Sequence, residues 1–131
     1  FLKFEAVDYT EEGIRNFYDF ITDEHLYKSF LQGRYQMMVA LDGERVIGAA
    51  SVRNYNHLSV LFVDEEYHHR GIGRDLMRRM CEYLKKEEGE RYMSLKAAPY
   101  AVEFYRKLGF HAVHEEEAFS GIRVTPMEKF L

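Results

Sequence analysis

The stretch from Leu58 to Gly89 constrains this chain more than any other, because it reads as a strand, a glycine turn and a long amphipathic helix in immediate succession. Leu58, Val60, Leu61, Phe62 and Val63 form a short run rich in β-branched and aromatic residues that stops at Asp64-Glu65-Glu66, the pattern of a buried strand. Arg70-Gly71-Ile72-Gly73-Arg74 then sets two glycines where a backbone must bend sharply or approach a ligand closely. Beyond the turn, Ile72, Leu76, Met80 and Leu84 share one helical face, Met77 and Cys81 widen it, and Gly89 supplies the stop. The helix therefore directs its N-terminus at the turn. Unpaired N–H groups and the positive dipole end make that terminus an anion site, and Arg70 and Arg74 add charge of the same sign, so phosphate is the natural guest. An ordinary βα connection, with glycine permitting the turn and arginine solvating it, accounts for the same residues. The third glycine of a dinucleotide fingerprint is missing, Leu76 standing in its place, and so is the Gly-Lys-Ser/Thr of a Walker-type loop.

The remaining chain supplies a sheet and further helices around this unit. Leu2, Phe4 and Ala6 alternate with Lys3 and Glu5 as a first strand. Thr10 caps a helix whose apolar residues Ile14, Phe17, Tyr18 and Ile21 recur at helical spacing, and a second short helix is predicted from Asp23 to Leu31, ending at Gly33. Two strands, Met37 to Leu41 and Arg45 to Val52, flank the hairpin signal Asp42-Gly43. After the central helix, Tyr92 to Lys96 alternates as a strand, and Pro99 starts a helix with Ala101, Phe104, Tyr105 and Leu108 on one face and Gly109 at its end. A strand around Phe110 and Ala112, a run of glutamates and a last strand from Gly121 to Met127 complete the chain. Helices and strands in this order predict a three-layer α/β/α plan with a mixed sheet, because hairpins and crossovers both occur.

At 131 residues the chain suits one domain spanning residues 1–131, and 47% hydrophobic content with ten Tyr and ten Phe supports a packed core over disorder. Cys81 is the sole cysteine, so no internal disulfide can form, and its place on the apolar helix face suits a small core residue in a reducing compartment. No signal-like or membrane-spanning stretch stands out, and the expected location is the cytoplasm. A net charge of -4 argues against a nonspecific nucleic-acid partner, and no membrane partner is expected. A homodimer is left open.

His68-His69-Arg70-Gly71-Ile72-Gly73 resembles the acetyl-coenzyme A loop of the GCN5-related N-acetyltransferase (GNAT) family, written as Gln or Arg, two residues, Gly, one residue, Gly or Ala. His68 departs from the usual Gln or Arg. A second motif, Ala98 to Phe110, is similar to the family's fourth-helix signature ending in Phe-Tyr-x-Lys-Leu-Gly-Phe, and the two motifs stand in the family's order and separation. The resemblance implies the acyl-CoA N-acyltransferase fold, with a mixed, mostly antiparallel sheet of about seven strands. It also implies a bulged central strand that splays from the fifth, the pantetheine arm lying in the gap against the backbone of Leu61, Phe62 and Val63. The pyrophosphate is expected on backbone N–H groups from His69 through Arg70, Gly71, Ile72 and Gly73 to Arg74, beside His68. Ala98 falls where many relatives carry an asparagine touching the cofactor, so a side-chain contact is expected to be missing there.

The reaction implied is direct transfer of acetyl from acetyl-CoA to a primary amine, with no metal. Tyr105 matches the residue that protonates the departing thiolate in the family. A base is also needed, since an alkyl amine with a pKa near ~10.4 is protonated at neutral pH. His57, at the entrance to the central strand, is the first candidate, with Glu65, Glu66 and His68 behind it; an exposed loop histidine is its plain reading. The alternative function is a non-catalytic acetyl-CoA sensor or interaction module on the same fold. Glu115-Glu116-Glu117 lie between the last two strands, where they either steer a cationic acceptor or form a solvated turn.

Overall fold

The hairpin signal at Asp42-Gly43 organises one half of the sheet. In the computed structural model, which describes residues 2–6 and 35–131, strand β2 (Tyr35–Asp42) turns through Gly43 and Glu44 into β3 (Arg45–Arg53). β1 (Leu2–Ala6) lies antiparallel beside β2, and β4 (His57–Val63) lies antiparallel beside β3. A short 3-10 turn, Glu65–Tyr67, leads into α1 (Ile72–Glu87), followed by β5 (Tyr92–Ala97). A second 3-10 turn, Pro99–Ala101, runs into α2 (Val102–Lys107). Three strands close the chain: β6 (His111–Ala112), β7 (Glu117–Phe119) and β8 (Ile122–Phe130). Among the described residues the sheet has eight strands, in the order β1-β2-β3-β4-β5-β8-β6 with β7 on β8. Every pairing is antiparallel except β4 with β5. This is the mixed, mostly antiparallel sheet of the acyl-CoA N-acyltransferase fold, with one strand more than the expected seven. The helices predicted from Thr10 to Ile21 and from Asp23 to Leu31 lie outside the described residues.

Two local predictions need correction. The last strand begins at Ile122 and runs on to Phe130, because Pro126, Met127, Glu128, Lys129 and Phe130 all pair with β5. The glutamate run is not simply a solvated turn. Glu117 opens β7, which folds back on β8 with Glu117 opposite Val124, and Arg123 donates two hydrogen bonds to Glu116 Oε2, at 3.1 and 3.0 Å.

The central strand is bulged. Ala50 pairs with Leu61 and Ser51 with Val60, yet Val52 pairs with Leu58, which leaves Ser59 as the extra residue. Its hydroxyl donates to the Ser51 carbonyl at 3.3 Å and lies 2.9 Å from Ser51 Oγ, whose residue is fully buried. The bulge shifts the alternation by one, so Leu58 before it and Leu61 and Val63 after it all face α1. On the helix side, Ile72, Leu76, Met77, Met80, Cys81 and Leu84 are all buried, as their spacing predicts. They pack with Met38, Ile47, Val52, Met93, Leu95 and Met127 into one core.

Gly48 sets how closely α1 approaches the sheet. A Cβ there would lie 3.1 Å from the Phe62 carbonyl oxygen and 3.2 Å from Leu76 Cδ1. Gly48→Val is therefore expected to destabilise the fold by about 1–3 kcal/mol through overpacking, read as a lower denaturant midpoint at unchanged m-value.

Candidate active site

β4 and β5 run parallel and pair only at His57 with Ser94, where the Ser94 N–H donates to the Asn56 carbonyl at 3.0 Å. From that pin the strands part, and the opening leads along β4 toward the N-terminus of α1. Val63 lies six residue steps along β4 from His57, about 20 Å at ~3.3 Å per residue. A groove of about 990 Å³ occupies the open end. Leu61, Phe62 and Val63 form one wall, His68, His69, Gly71, Ile72, Gly73 and Arg74 form its head, and Tyr100, Ala101, Phe104, Tyr105, Lys107 and Leu108 form the other wall.

The head of the groove follows from backbone conformation. Gly71 caps α1 with φ 76°, a left-handed value that costs a non-glycine residue roughly 1–2 kcal/mol. The first helical bond runs from the Asp75 N–H to the Gly71 carbonyl at 3.0 Å, so the N–H groups of Ile72, Gly73 and Arg74 have no intrahelical partner. Gly73 leaves the groove open: a Cβ there would point at the Phe104 ring (3.6 Å) and Val63 Cγ2 (3.8 Å). His68 uses its side chain on the protein itself, its Nε2–H donating to the Val63 carbonyl at 2.7 Å.

The two predicted arginines part company. Arg74 lines the groove, whereas Arg70 does not; its guanidinium lies 5.0 Å from the Tyr67 ring centroid. Tyr67 in turn donates to Asp42 Oδ2 at 2.5 Å, and Arg45, 6.0 Å from the same ring, pairs with Asp64 at 3.0 Å. The loop is thereby tied to the β2–β3 hairpin. Among the candidates for the base, Glu65 and Glu66 stand exposed on the turn before the loop, and Glu66 lies 3.7 Å from Arg45. Ala98 is not among the lining residues; its carbonyl accepts the Ala101 N–H at 2.9 Å and starts the turn into α2. Tyr67, Tyr100, Ala101, Phe104, Lys107 and Leu108 were missing from the predicted site. For those after Pro99, the available signal is the second face of the short helix that carries Tyr105.

Tyr105 is held by its neighbours rather than by its hydroxyl. α2 ends on Gly109 at φ 98°, where the Phe110 N–H donates to the Tyr105 carbonyl and the Gly109 N–H to the Arg106 carbonyl, at 3.1 and 3.0 Å. Phe110, buried, sets its ring 5.7 Å from that of Tyr105, and Phe104 lies 5.2 Å away on the other side. The motif Phe-Tyr-x-Lys-Leu-Gly-Phe thus reads as a helix stop with aromatic anchors. Among the described residues the Tyr105 hydroxyl has no hydrogen-bond partner, and burial, with Tyr100 nearby, pushes its pKa up to about 12.

His57 is half-buried at the pinned end and does not line the groove. Its Nδ1 and Ser94 Oγ share a hydrogen bond of 2.8 Å. Burial lowers its pKa below the ordinary 6.5, and the charges of Arg53 and Lys96 lower it further.

Strands parted in this way beside a glycine-capped helix N-terminus define an acyltransferase architecture, and the comparisons agree. The chain belongs to the GNAT family: the model for the acetyltransferase (GNAT) domain matches residues 5–131. It is therefore an acyltransferase enzyme, and the non-catalytic alternative gives way. No curated protein matches the chain. Among solved structures, a GCN5-related N-acetyltransferase from Rhodopseudomonas palustris is similar at 27% identity and TM-score 0.69, over 95% of this chain and 78% of that one. An IAA acetyltransferase from Bacillus cereus shares 21% identity at TM-score 0.69, over 100% of both chains. Tetrahymena GCN5 shares 19% identity at TM-score 0.71, over 98% of this chain and 95% of that one.

The His57 environment is open to direct measurement. Its ring resonances should titrate below pH 6.5 in an NMR pH series, and Arg53→Met should shift that midpoint upward, since removing a nearby cation favours the charged imidazolium.

Proposed function

We propose that this enzyme transfers the acetyl group of acetyl-CoA directly to a primary amine. The parting of β4 from β5 is the observation that carries the reading, because beyond His57 and Ser94 the two strands do not pair and a groove opens between them at the N-terminus of α1. The lining fits coenzyme A. Leu61, Phe62, Val63, Phe104 and Leu108 offer apolar walls, the N–H groups of Ile72, Gly73 and Arg74 suit a pyrophosphate, and Arg74 and Lys107 add positive charge.

When bound, acetyl-CoA supplies an activated acyl thioester; the chain supplies orientation and proton handling. Backbone N–H groups of β4 facing the gap would donate to the thioester oxygen, an interaction that strengthens as charge grows there. The amine forms the new C–N bond while the C–S bond breaks, and no protein nucleophile intervenes. His57 takes the amine proton, directly or through water. With Nδ1–H donated to Ser94 Oγ, its Nε2 keeps a free lone pair, and the lowered pKa keeps the ring neutral at physiological pH.

Tyr105 is protonated at neutral pH and gives that proton to the departing thiolate, regaining one from solvent after the product leaves. A phenol near 12 appears a poor donor to a thiolate whose reference pKa is ~8.5. Burial disfavours both anions, however, so the gap of roughly 1.5 units between their reference values is the better guide, about 2 kcal/mol. Hydrogen bonding to the sulfur as its charge develops is enough to lower the barrier.

Tyr105→Phe keeps the ring and its contacts with Phe104 and Phe110 and removes only the hydroxyl. Turnover should fall about a hundredfold with acetyl-CoA affinity nearly preserved; turnover within about twofold of the parent returns Tyr105 to a packing role. Gly73 tests the cosubstrate. Calorimetry should show Gly73→Ala binding coenzyme A, since its Cβ makes ordinary contacts, and Gly73→Glu binding none, because a bulky carboxylate would stand in the pyrophosphate site. Equal affinity in both folded variants would move the site elsewhere.

A further inference from the structure

The face of the sheet turned away from α1 carries a row of polar side chains across the pinned end of β4. Arg53 pairs in register with His57, His57 with Ser94, and Ser94 with Glu128, so four strands present these residues in one line. Lys96, two residues beyond Ser94, joins the row, with its Nζ 3.7 Å from the centroid of the Phe119 ring on β7. Burial lowers the His57 pKa most, and the charges of Arg53 and Lys96 lower it further. Neither cation has a carboxylate partner among the described residues, and Glu128 forms no ion pair with either.

Arg53 is the unusual member. Its Nε is buried and has no hydrogen-bond partner among the described residues, although a buried charged donor is expected to find one. The position is also imposed. The chain reverses between β3 and β4 within Asn54, Tyr55 and Asn56, with Asn54 at φ 50° and Tyr55 at φ 74°, left-handed values that an aromatic residue rarely adopts. That strained reversal sets Arg53 directly against His57.

We propose that the acceptor amine carries a carboxylate, which Arg53 binds with Lys96 as a second cation, so that the amine end is presented to His57 and the gap between β4 and β5. The inference rests on the acetyl-transfer reading above. A guanidinium offers paired donors in the geometry of a carboxylate, and an anion meeting the accessible part of the Arg53 side chain would balance the positive charge that it and Lys96 bring to this face. A polyamine or other cationic acceptor would bring like charge to the same place. The glutamate run does not counter this: Glu116 is paired with Arg123, and Glu117 stands 3.4 Å from His114.

The test is a matched series of short primary amines ending in a methyl, an ammonium or a carboxylate: propylamine, 1,3-diaminopropane and β-alanine, then butylamine, 1,4-diaminobutane and 4-aminobutanoate. Release of free thiol from acetyl-CoA should give at least one carboxylate a kcat/KM about tenfold or more above its matched diamine. Calorimetry with coenzyme A present should detect that carboxylate binding. Arg53→Met should abolish the binding and bring the carboxylate down to the level of the matched alkylamine, whereas Arg53→Lys should retain part of the preference; coenzyme A affinity reports that each variant is folded. Diamines preferred over carboxylates, or a preference that survives Arg53→Met, overturn the inference while leaving acetyl transfer intact. Coenzyme A binding with no amine acetylated anywhere in the series would instead overturn the acetyl-transfer reading, and this inference with it.

Discussion

The parting of β4 from β5 is the constraint on which the rest of this structure depends, since the two strands meet at His57 and Ser94 and pair nowhere else. A strand edge inside a sheet cannot leave its N–H and C=O groups without partners at low cost, so a gap there persists only where something else serves them. His68 serves the Val63 carbonyl, and on the proposed reading the pantetheine arm of the cosubstrate would lie along this edge. The bulge at Ser59 belongs to the same arrangement. By shifting the alternation, it lets Leu58 anchor the strand in the core near the pin while Leu61 and Val63 still face α1 where the strand borders the groove.

The helix that heads the groove is held in place by forces unrelated to phosphate. Its six buried residues fix its tilt against the sheet, and Gly48 lets it come close. Anion binding at its N-terminus, as proposed, would therefore be pre-organised: the N–H groups without intrahelical partners are aimed by core packing, and binding would not have to supply the ordering free energy. The loop ahead of it is braced differently. Tyr67 reaches across to Asp42, Arg45 to Asp64, and Arg70 lies over the Tyr67 ring, so the charged surface of the loop is knit to the β2–β3 hairpin rather than turned into the groove.

Much of this was legible in the residues because it depends on period and on backbone. The α1 stripe, the hairpin and the glycine turn each follow from spacing that only one local structure satisfies. Phe-Tyr-x-Lys-Leu-Gly-Phe was readable as a motif, although the helix stop that gives it meaning needs the pairing of the Phe110 N–H with the Tyr105 carbonyl. What could not be read depends on register and on choice among partners. Apart from Ser59, Leu58 to Val63 is apolar on both faces, so no regular alternation in it reveals the bulge. Arg70 and Arg74 look equivalent in sequence, yet Tyr67 offers a ring to one of them and not to the other. The β7 hairpin was hidden because Glu115, Glu116 and Glu117 read as solvated charge, whereas Arg123, seven residues on from Glu116, turns one of them into a cross-strand partner.

The charges around His57 carry a further consequence for how base and acceptor work together. Burial first, and then the charges of Arg53 and Lys96, oppose protonation of the ring, which favours the neutral form of His57 but also makes it a weaker base. An acceptor whose carboxylate settles on Arg53 cancels part of that field. The imidazole then becomes more basic at the moment an amine proton must be removed, and less so when the site is empty. A cationic acceptor would do the reverse, adding positive charge beside a ring that must become positive itself. In the proposed scheme, with His57 as base and Arg53 as the carboxylate site, recognition of the acceptor would thus be tied electrostatically to readiness of the base.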